Sequence, residues 1–399
     1  MSSNSQKIIN KEKQVSANNY HPLPVVIKKG RGVWVEDVEG KKYLDMLSAY
    51  SALNQGHCHP KIVQAAKSQL DNLTLTSRAF HNDKMAPYLE KLCAVTGFEK
   101  ALLMNSGAEA VETAIKAVRK WGVENKGITD GEIIVMASNF HGRTTAIISF
   151  STDEISRDGY GPFISGFKTV EYGNINALKS AMTKQTIAVL MEPIQGEAGV
   201  MIPPEGYLES CAKTCAEHEV LLIIDEIQTG LGRTGAMFCY EHANIKPDIV
   251  IIGKALGGGV YPVSGILASS KIMDVAFTPG SHGSTFGGNP LACVVASAAL
   301  DVIIDEKLIE KSKQLGDYFK NELCTIQSAE IKEVRGKGLM IAIELAKKAK
   351  GARYYTEQML EKGILAKGTH DTIIRFSPPL IIEKAEIDWA VKIIKTVFS

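Results

Sequence analysis

Seven short apolar runs, separated by stretches with helical spacing, constrain the fold of this chain more than any other feature. They occupy residues 101–104, 132–136, 168–172, 187–191, 220–224, 248–252 and 263–268. The runs are almost continuously apolar and do not alternate, as strands covered on both faces require. Between the first two, Val111, Ala114, Ile115 and Val118 fall at i, i+3, i+4 and i+7, one face of a helix. Strand, helix and strand in succession predict an α/β core: one large parallel sheet of these seven runs with helices on both sides.

The flanks read differently. Residues 1–19 are polar and are expected to be mobile unless docked elsewhere. Residues 32–40 and 42–45 form apolar alternations around an acidic, glycine-ended turn, which predicts a hairpin. After Asp301 the pattern changes to long amphipathic helices, a strand over 335–344 and another over 373–376, which suggests a smaller α+β unit. The expected division is an N-terminal segment (1–50) packing with the small unit, a large domain (51–308) and a small C-terminal domain (309–399). A chain of 399 residues buries about three quarters of its extended surface, so no staple is needed. Lys plus Arg number 45 and Asp plus Glu 44, which excludes a strongly basic nucleic-acid binder. No apolar run reaches the length of a membrane span, and residues 1–15 carry no apolar leader, so a cytoplasmic location is expected. The seven cysteines include no CxxC pair. Cys211 and Cys215 stand one helical turn apart without a third or fourth ligand, so buried thiols are expected and no metal.

Ligands of open α/β sheets sit beyond the carboxyl ends of the strands. Three of the runs end there in charge: 187–191 in Glu192, 220–224 in Asp225-Glu226, and 248–252 in Gly253-Lys254. Such groups are costly to desolvate unless paired or used. Any one of them fits a salt bridge closing the sheet edge; the combination points to a site. Lys254 lies among small residues, Gly253-Lys-Ala-Leu-Gly-Gly-Gly259, with room for a bulky group beside its amine. A partly desolvated amine loses its proton more easily and can form a Schiff base with a carbonyl. Asp225 is then placed to hold the positive charge of a ring nitrogen, as an Asp does for the pyridinium of pyridoxal phosphate. Asn105-Ser106-Gly107-Ala108 joins a strand to a helix, where free N–H groups can face a phosphate. Glu109 in that first turn favours the helix but must point away from any phosphate. A plain N-cap explains Ser106 equally well. Gly230-Leu-Gly-Arg-Thr-Gly235 matches GxGxxG, yet no strong helical pattern follows it and no acidic residue stands about 20 positions on, so a dinucleotide site is not expected. His57-Cys-His59 before Pro60 reads as a turn with N-capping polarity.

The segments Asn105-Ser-Gly-Ala-Glu-Ala110, Asn139-Phe-His-Gly-Arg143, Glu192-Pro-Ile-Gln-Gly-Glu-Ala-Gly199, Asp225-Glu-Ile-Gln228, Gly253-Lys-Ala-Leu-Gly-Gly258 and His282-Gly-Ser-Thr-Phe-Gly-Gly-Asn-Pro290 occur in one order. In that order they resemble the class III, fold-type I, pyridoxal-phosphate aminotransferases, from about Tyr20 to the C-terminus. The resemblance implies that Lys254 holds the coenzyme as a Schiff base and then moves a proton, while Asp225 pairs with the ring nitrogen. It also implies that Gln228 approaches the ring hydroxyl, Phe140 stacks on the ring, and Ser106, Gly107 and Ala108 hold the phosphate. Thr285, with Ser284 beside it, would reach the phosphate of a neighbouring subunit, making a homodimer the minimal active unit.

Within the family the chain is most similar to members acting on the δ-amine of ornithine, through residues 19–24, 47–60, 74–80 and 374–379. That similarity implies ornithine and 2-oxoglutarate as small-molecule substrates, with glutamate 5-semialdehyde and glutamate as products of a ping-pong reaction. Members acting on N-acetylornithine or 4-aminobutyrate are the alternatives. Arg143 matches the family's carboxylate-binding arginine, and Tyr20 and Tyr50 match positions lining the ornithine tail. Arg375 and Glu197 match a pair that works as a switch, although a permanent salt bridge fits the sequence as well. Many ornithine-type enzymes carry Thr where Ser106 stands; both supply a hydroxyl.

Overall fold

The computed structural model describes residues 3–399. The N-terminal hairpin is present: β2 (Trp34–Asp37) pairs antiparallel with β1 (Ile27–Arg31) on one side and β3 (Lys42–Asp45) on the other. The polar arm before it forms a helix, Ser3–Val15, anchored where the backbone N–H of buried Ser5 donates to Glu39 Oε1 at 3.1 Å.

All seven apolar runs become strands: β4 (Lys100–Met104), β5 (Glu132–Met136), β6 (Phe167–Val170), β7 (Thr186–Met191), β8 (Leu221–Asp225), β9 (Ile249–Ile252) and β10 (Ser264–Ala268). They form one sheet in the order β4-β10-β9-β8-β7-β5-β6, in which only β10 runs against its neighbours. Side chains along each strand alternate between two apolar layers. Ile134, Val189, Leu222 and Val250 face one layer; Ile133, Ala188, Ile223 and Ile251 face the other. Both faces are therefore buried, which is why the sequence shows no alternation. The helix Gly107–Lys126 covers one face with Val111, Ala114, Ile115 and Val118 fully or almost fully buried, matching the spacing. It lies so close to β7 that a Cβ at Gly122 would come within 2.8 Å of Ile187. That contact fixes the helix and aims its N-terminus at the carboxyl edge of the sheet.

The C-terminal part supplies β11 (Ile331–Lys337), β12 (Met340–Leu345), β13 (Ile364–Leu365), β14 (Lys367–Thr369) and β15 (Ile373–Phe376). Strands β11-β12-β15-β14 form a second, wholly antiparallel sheet, and β13 instead joins β3 in parallel. The expected single strand over 335–344 is thus corrected to a hairpin. The chain reverses at Gly338, whose φ of +54° suits glycine, and an added Cβ there would lie 2.5 Å from the Thr234 backbone. Gly336-Lys337-Gly338 marks the turn in the sequence, between the polar end of β11 and the apolar run of β12. Arg233, within the GxGxxG-like segment, is completely buried in a turn. Its guanidinium donates to Leu339 O at 2.9 Å, Pro378 O at 2.6 Å and Asn54 Oδ1 at 2.5 Å. Those bonds tie the turn to the C-terminal hairpin, to the loop after β15 and to the segment around Asn54. Cys211 and Cys215 are buried free thiols, as expected. No described helix is long and apolar enough to cross a membrane.

Candidate active site

The carboxyl ends of β7, β8 and β9 open into a cavity of about 200 Å³. Gly107, Ala108, Phe140, Glu197, Gln228 and Lys254 are among its lining residues, as are Asp225, Glu192 and His141. Three strands that end side by side must deliver their following residues to the same place; the sheet order makes the site.

Lys254 follows β9 through Gly253 and adopts a left-handed φ of +46°. Strain of this kind costs about 1–2 kcal/mol for a residue with a Cβ and persists where the surroundings fix it. Lys254 is half-buried, with its amine on the cavity side. Burial pushes its pKa below the ordinary lysine value, and the Arg375 guanidinium pushes the same way against the pull of Glu197 and Asp225. The result is an amine biased toward its nucleophilic form.

Asp225 closes β8, 4% exposed. Its Oδ1 accepts from the backbone N–H of Ile227 at 3.0 Å, and its Oδ2 lies 2.6 Å from His141 Nδ1. Burial alone would lower the His141 pKa, but the Asp225 contact holds it above the ordinary histidine value. His141 Nε2 is buried with no partner among the described residues. Glu192, after β7, accepts from the backbone N–H of Phe140 at 3.1 Å and of Gly196 at 3.3 Å. Burial raises its pKa to about 7, although His141 pulls the other way. Glu192 is legible in the sequence as a strand-end charge with no assigned role, and His141 is signalled there only by its place inside the Asn139–Arg143 motif.

At the N-terminus of the helix Gly107–Lys126 the structure corrects one expectation. Glu109 does not point away but folds back, and its Oε2 accepts from Ser106 N at 2.7 Å and from Asn105 N at 3.2 Å. Ser106 Oγ in turn accepts from Glu109 N, completing a capping box. The cap satisfies those groups locally, which is why the carboxylate turns inward. Gly107 and Ala108, both lining the cavity, are left with backbone N–H groups that no described residue accepts. A side chain at Gly107 would press on Ile227 at 3.0 Å.

Arg375, in β15 of the smaller sheet, is 3% exposed. Its fork donates to Glu197 Oε1 at 2.9 Å and Oε2 at 3.2 Å, and also to Gly196 O at 2.9 Å. Burial would raise the Glu197 pKa, but the guanidinium outweighs it and brings it to about 2. Gln228 Nε2 donates to Glu197 Oε1 at 3.1 Å. The Tyr50 ring lies 5.6 Å from the Arg375 guanidinium carbon. Arg143 is exposed, with its guanidinium 4.9 Å from the centre of the Phe140 ring. Ser284 Oγ accepts from Asn105 Nδ2 of the same chain at 2.8 Å, just before the helix Gly107–Lys126, while Thr285 is exposed. Tyr20 is 62% exposed and is not among the cavity residues; the chain next to it is held by Arg353, which donates to His21 O and Pro22 O. His59 stands at the N-cap of the helix Pro60–Leu70 without a side-chain cap bond; its ring contacts Glu306 at 3.0 Å instead.

The donor set fits pyridoxal phosphate. It offers an amine disposed to lose its proton, a buried carboxylate facing the same cavity, two unused helix N-terminal amides for an anion, and an aromatic ring in the wall. The family model for class III aminotransferases matches residues 15–398. The ornithine aminotransferase of Macrococcus caseolyticus is 57% identical over 397 residues, covering 99% of each chain. Two crystal structures of the Toxoplasma gondii ornithine aminotransferase superpose with TM-scores of 0.97 at 42% identity, covering 99% of this chain and 94% of theirs. One of them reports pyridoxal phosphate at partial occupancy in the active site. The acetylornithine aminotransferase of Elizabethkingia anophelis matches with a TM-score of 0.90 at 47% identity, covering 100% and 99%. The sheet order, the lysine and aspartate at its edge, and the match along nearly the whole chain place this protein in the class III aminotransferases, which use pyridoxal 5'-phosphate.

Proposed function

We propose that this enzyme transfers the δ-amino group of L-ornithine to 2-oxoglutarate, giving glutamate 5-semialdehyde and glutamate. The observation that carries the reading is the Glu197–Arg375 pair, whose carboxylate lines the cavity and whose two charges both act on Lys254. A carboxylate that accepts both ends of a buried guanidinium keeps that guanidinium from any incoming α-carboxylate. An amino acid must then enter tail first, and ornithine has an amine at its tail.

Bound pyridoxal phosphate supplies an aldehyde for the amine and a ring that withdraws electrons from the adjoining carbon. Lys254 would attach it and afterwards carry a proton between carbon and coenzyme. Asp225, held by His141 and by the Ile227 amide, would keep the ring nitrogen charged. Gly107 and Ala108 would give their amides to the phosphate beside the Ser106 cap, Phe140 would stack on the ring, and Gln228 would turn to the ring hydroxyl. Arg143 would hold the α-carboxylate of ornithine, with Tyr50 and Tyr20 along the tail. When 2-oxoglutarate binds, Glu197 would release Arg375 to take its α-carboxylate, and Arg143 would hold the distal one. A fixed guanidinium fork suits both tasks.

A homodimer completes the reading, with Ser284 and Thr285 of one subunit reaching the partner's phosphate. Thr285 is exposed here, and its neighbour Phe286 is 46% exposed, a large apolar group that a second copy would cover. The test is a spectrum of the coenzyme-loaded protein with ornithine, N-acetylornithine and 4-aminobutyrate in turn. Ornithine is expected to bleach the visible band fastest. Faster bleaching by N-acetylornithine, the substrate named for the Elizabethkingia relative, would overturn the assignment.

A further inference from the structure

Residues Ser48, Ala49, Tyr50 and Ser51 all have positive φ, at 46°, 47°, 60° and 70°. Four consecutive left-handed residues with side chains are expensive, at about 1–2 kcal/mol each, and need a framework that leaves no alternative. The framework is visible. Asp45 Oδ1 accepts from the N–H groups of Leu47 and Ser48 at 2.9 and 2.8 Å, and Ser48 Oγ donates to Ser377 O at 2.5 Å. Buried Arg233 also reaches Ser48 Oγ, at 3.3 Å. The backbone of Tyr50 is therefore fixed beside the Arg375 site, and the position of its phenol remains to be set.

Lys367 sets it. Its Nζ donates to Tyr50 Oη at 2.6 Å and lies 4.7 Å from the ring centre. Lys367 is also the direct cross-strand partner of Arg375 in the β14–β15 ladder, so the two cations share one face of the sheet. Like charges directly opposite destabilise a ladder. Lys367 is half-buried, and no described carboxylate pairs with it, whereas Arg375 has Glu197. The phenol relieves this arrangement by offering its oxygen to the lysine and its π-face to the guanidinium.

We infer that Lys367 is a specificity-positioning residue: it pins the Tyr50 phenol against Arg375 and so keeps the guanidinium walled off together with Glu197 during the amine half-reaction. The inference rests on the reading that Arg375 receives an α-carboxylate. Without the pin, the ring swings free and α-carboxylates reach Arg375 more readily.

Lys367→Met removes both donor and charge, and Lys367→Gln removes the charge while keeping a donor for the phenol. Neither residue type disturbs a buried core, and unchanged unfolding midpoints would confirm intact folds. Selectivity is read as the ratio of single-turnover kcat/KM for glutamate over ornithine. Lys367→Met is expected to raise it about tenfold, Lys367→Gln to leave it within about twofold of the parent, and Tyr50→Phe with Lys367→Met to add nothing to either single change. A long-range charge effect predicts the opposite sign, because losing a cation favours cationic ornithine over anionic glutamate. Binding of glutarate to the coenzyme-loaded protein, followed by its spectrum, gives a readout free of turnover and of ornithine. The Met variant is expected to bind it several-fold more tightly than the Gln variant of equal charge. Equal glutarate affinity in the two variants, additive effects with Tyr50→Phe, or a shift toward ornithine would each overturn the inference. If the parent ignored ornithine, the substrate assignment would fail while the glutarate comparison still judged Lys367.

Discussion

Replacing Glu197 by alanine removes the carboxylate that occupies both ends of the Arg375 fork, at 2.9 and 3.2 Å. The fall of the Glu197 pKa from 4.5 to about 2 measures how strongly the site favours its ionised form. At about 1.4 kcal/mol per unit this is roughly 3 kcal/mol. A substrate α-carboxylate that displaces Glu197 must work against an interaction of that order, so its removal raises access to Arg375 by at most about a hundredfold. The expected gain in single-turnover kcat/KM for glutamate, relative to ornithine, is about ten- to a hundredfold, read from the coenzyme spectrum after rapid mixing. The same depression has a pH signature. A carboxyl with a lowered folded pKa stabilises the protein above its unfolded value near 4.5 and loses that contribution as pH falls toward 2. Urea unfolding across that window should show a steeper decline for the parent than for Glu197→Ala. A glutamate-to-ornithine ratio that does not move would refute the switch and leave a permanent structural ion pair.

Lys254→Ala should abolish turnover, and borohydride should no longer trap the coenzyme on the chain. Asp225→Ala should cut the rate by several orders of magnitude while costing far less in unfolding free energy, if its proposed task at the ring nitrogen holds; near-normal turnover would count against that role. Glu192 has a folded pKa raised to about 7, so its ionisation destabilises the fold as pH rises from 4.5 toward 7. Glu192→Gln should flatten that decline in urea unfolding, by up to roughly 3 kcal/mol at about 1.4 kcal/mol per unit. Gly196→Ala would set a Cβ 1.5 Å from Gln228 Oε1, a flexible group that can move away. The fold should survive, with the Gln228–Glu197 bond lost and pyridoxal phosphate bound several-fold more weakly in a fluorescence titration.

The N-terminal helix and the β11–β12 hairpin show where local pattern fails. Ser3–Val15 is polar enough to read as an arm, and it is anchored where the backbone N–H and Oγ of Ser5 both donate to Glu39 Oε1, across a separation that no window of sequence contains. The turn at Gly338 is signalled locally only by Gly336-Lys337-Gly338, and its tightness is set by close approach to the Thr234 backbone, far away in the sequence. Glu109 folds back onto Ser106 because its Oε2 accepts from Asn105 N, Ser106 N and Ser106 Oγ, a local gain that the helix-end charge rule leaves out.

The sequence by itself determined the seven strands, the buried face of the helix Gly107–Lys126, and the placing of Glu192, Asp225 and Lys254 at one edge. Those follow from short-range periodicity and from the cost of burying charge. The tertiary structure alone decided what each charge faces: His141 on Asp225, Glu197 on Arg375, and Lys367 with Tyr50 beside that same arginine. These partners lie from 31 to more than 300 positions apart, as with Gln228 on Glu197 and Lys367 on Tyr50. Contacts at such range are fixed by sheet order and strand register, which emerge only when all the apolar surfaces are packed at once.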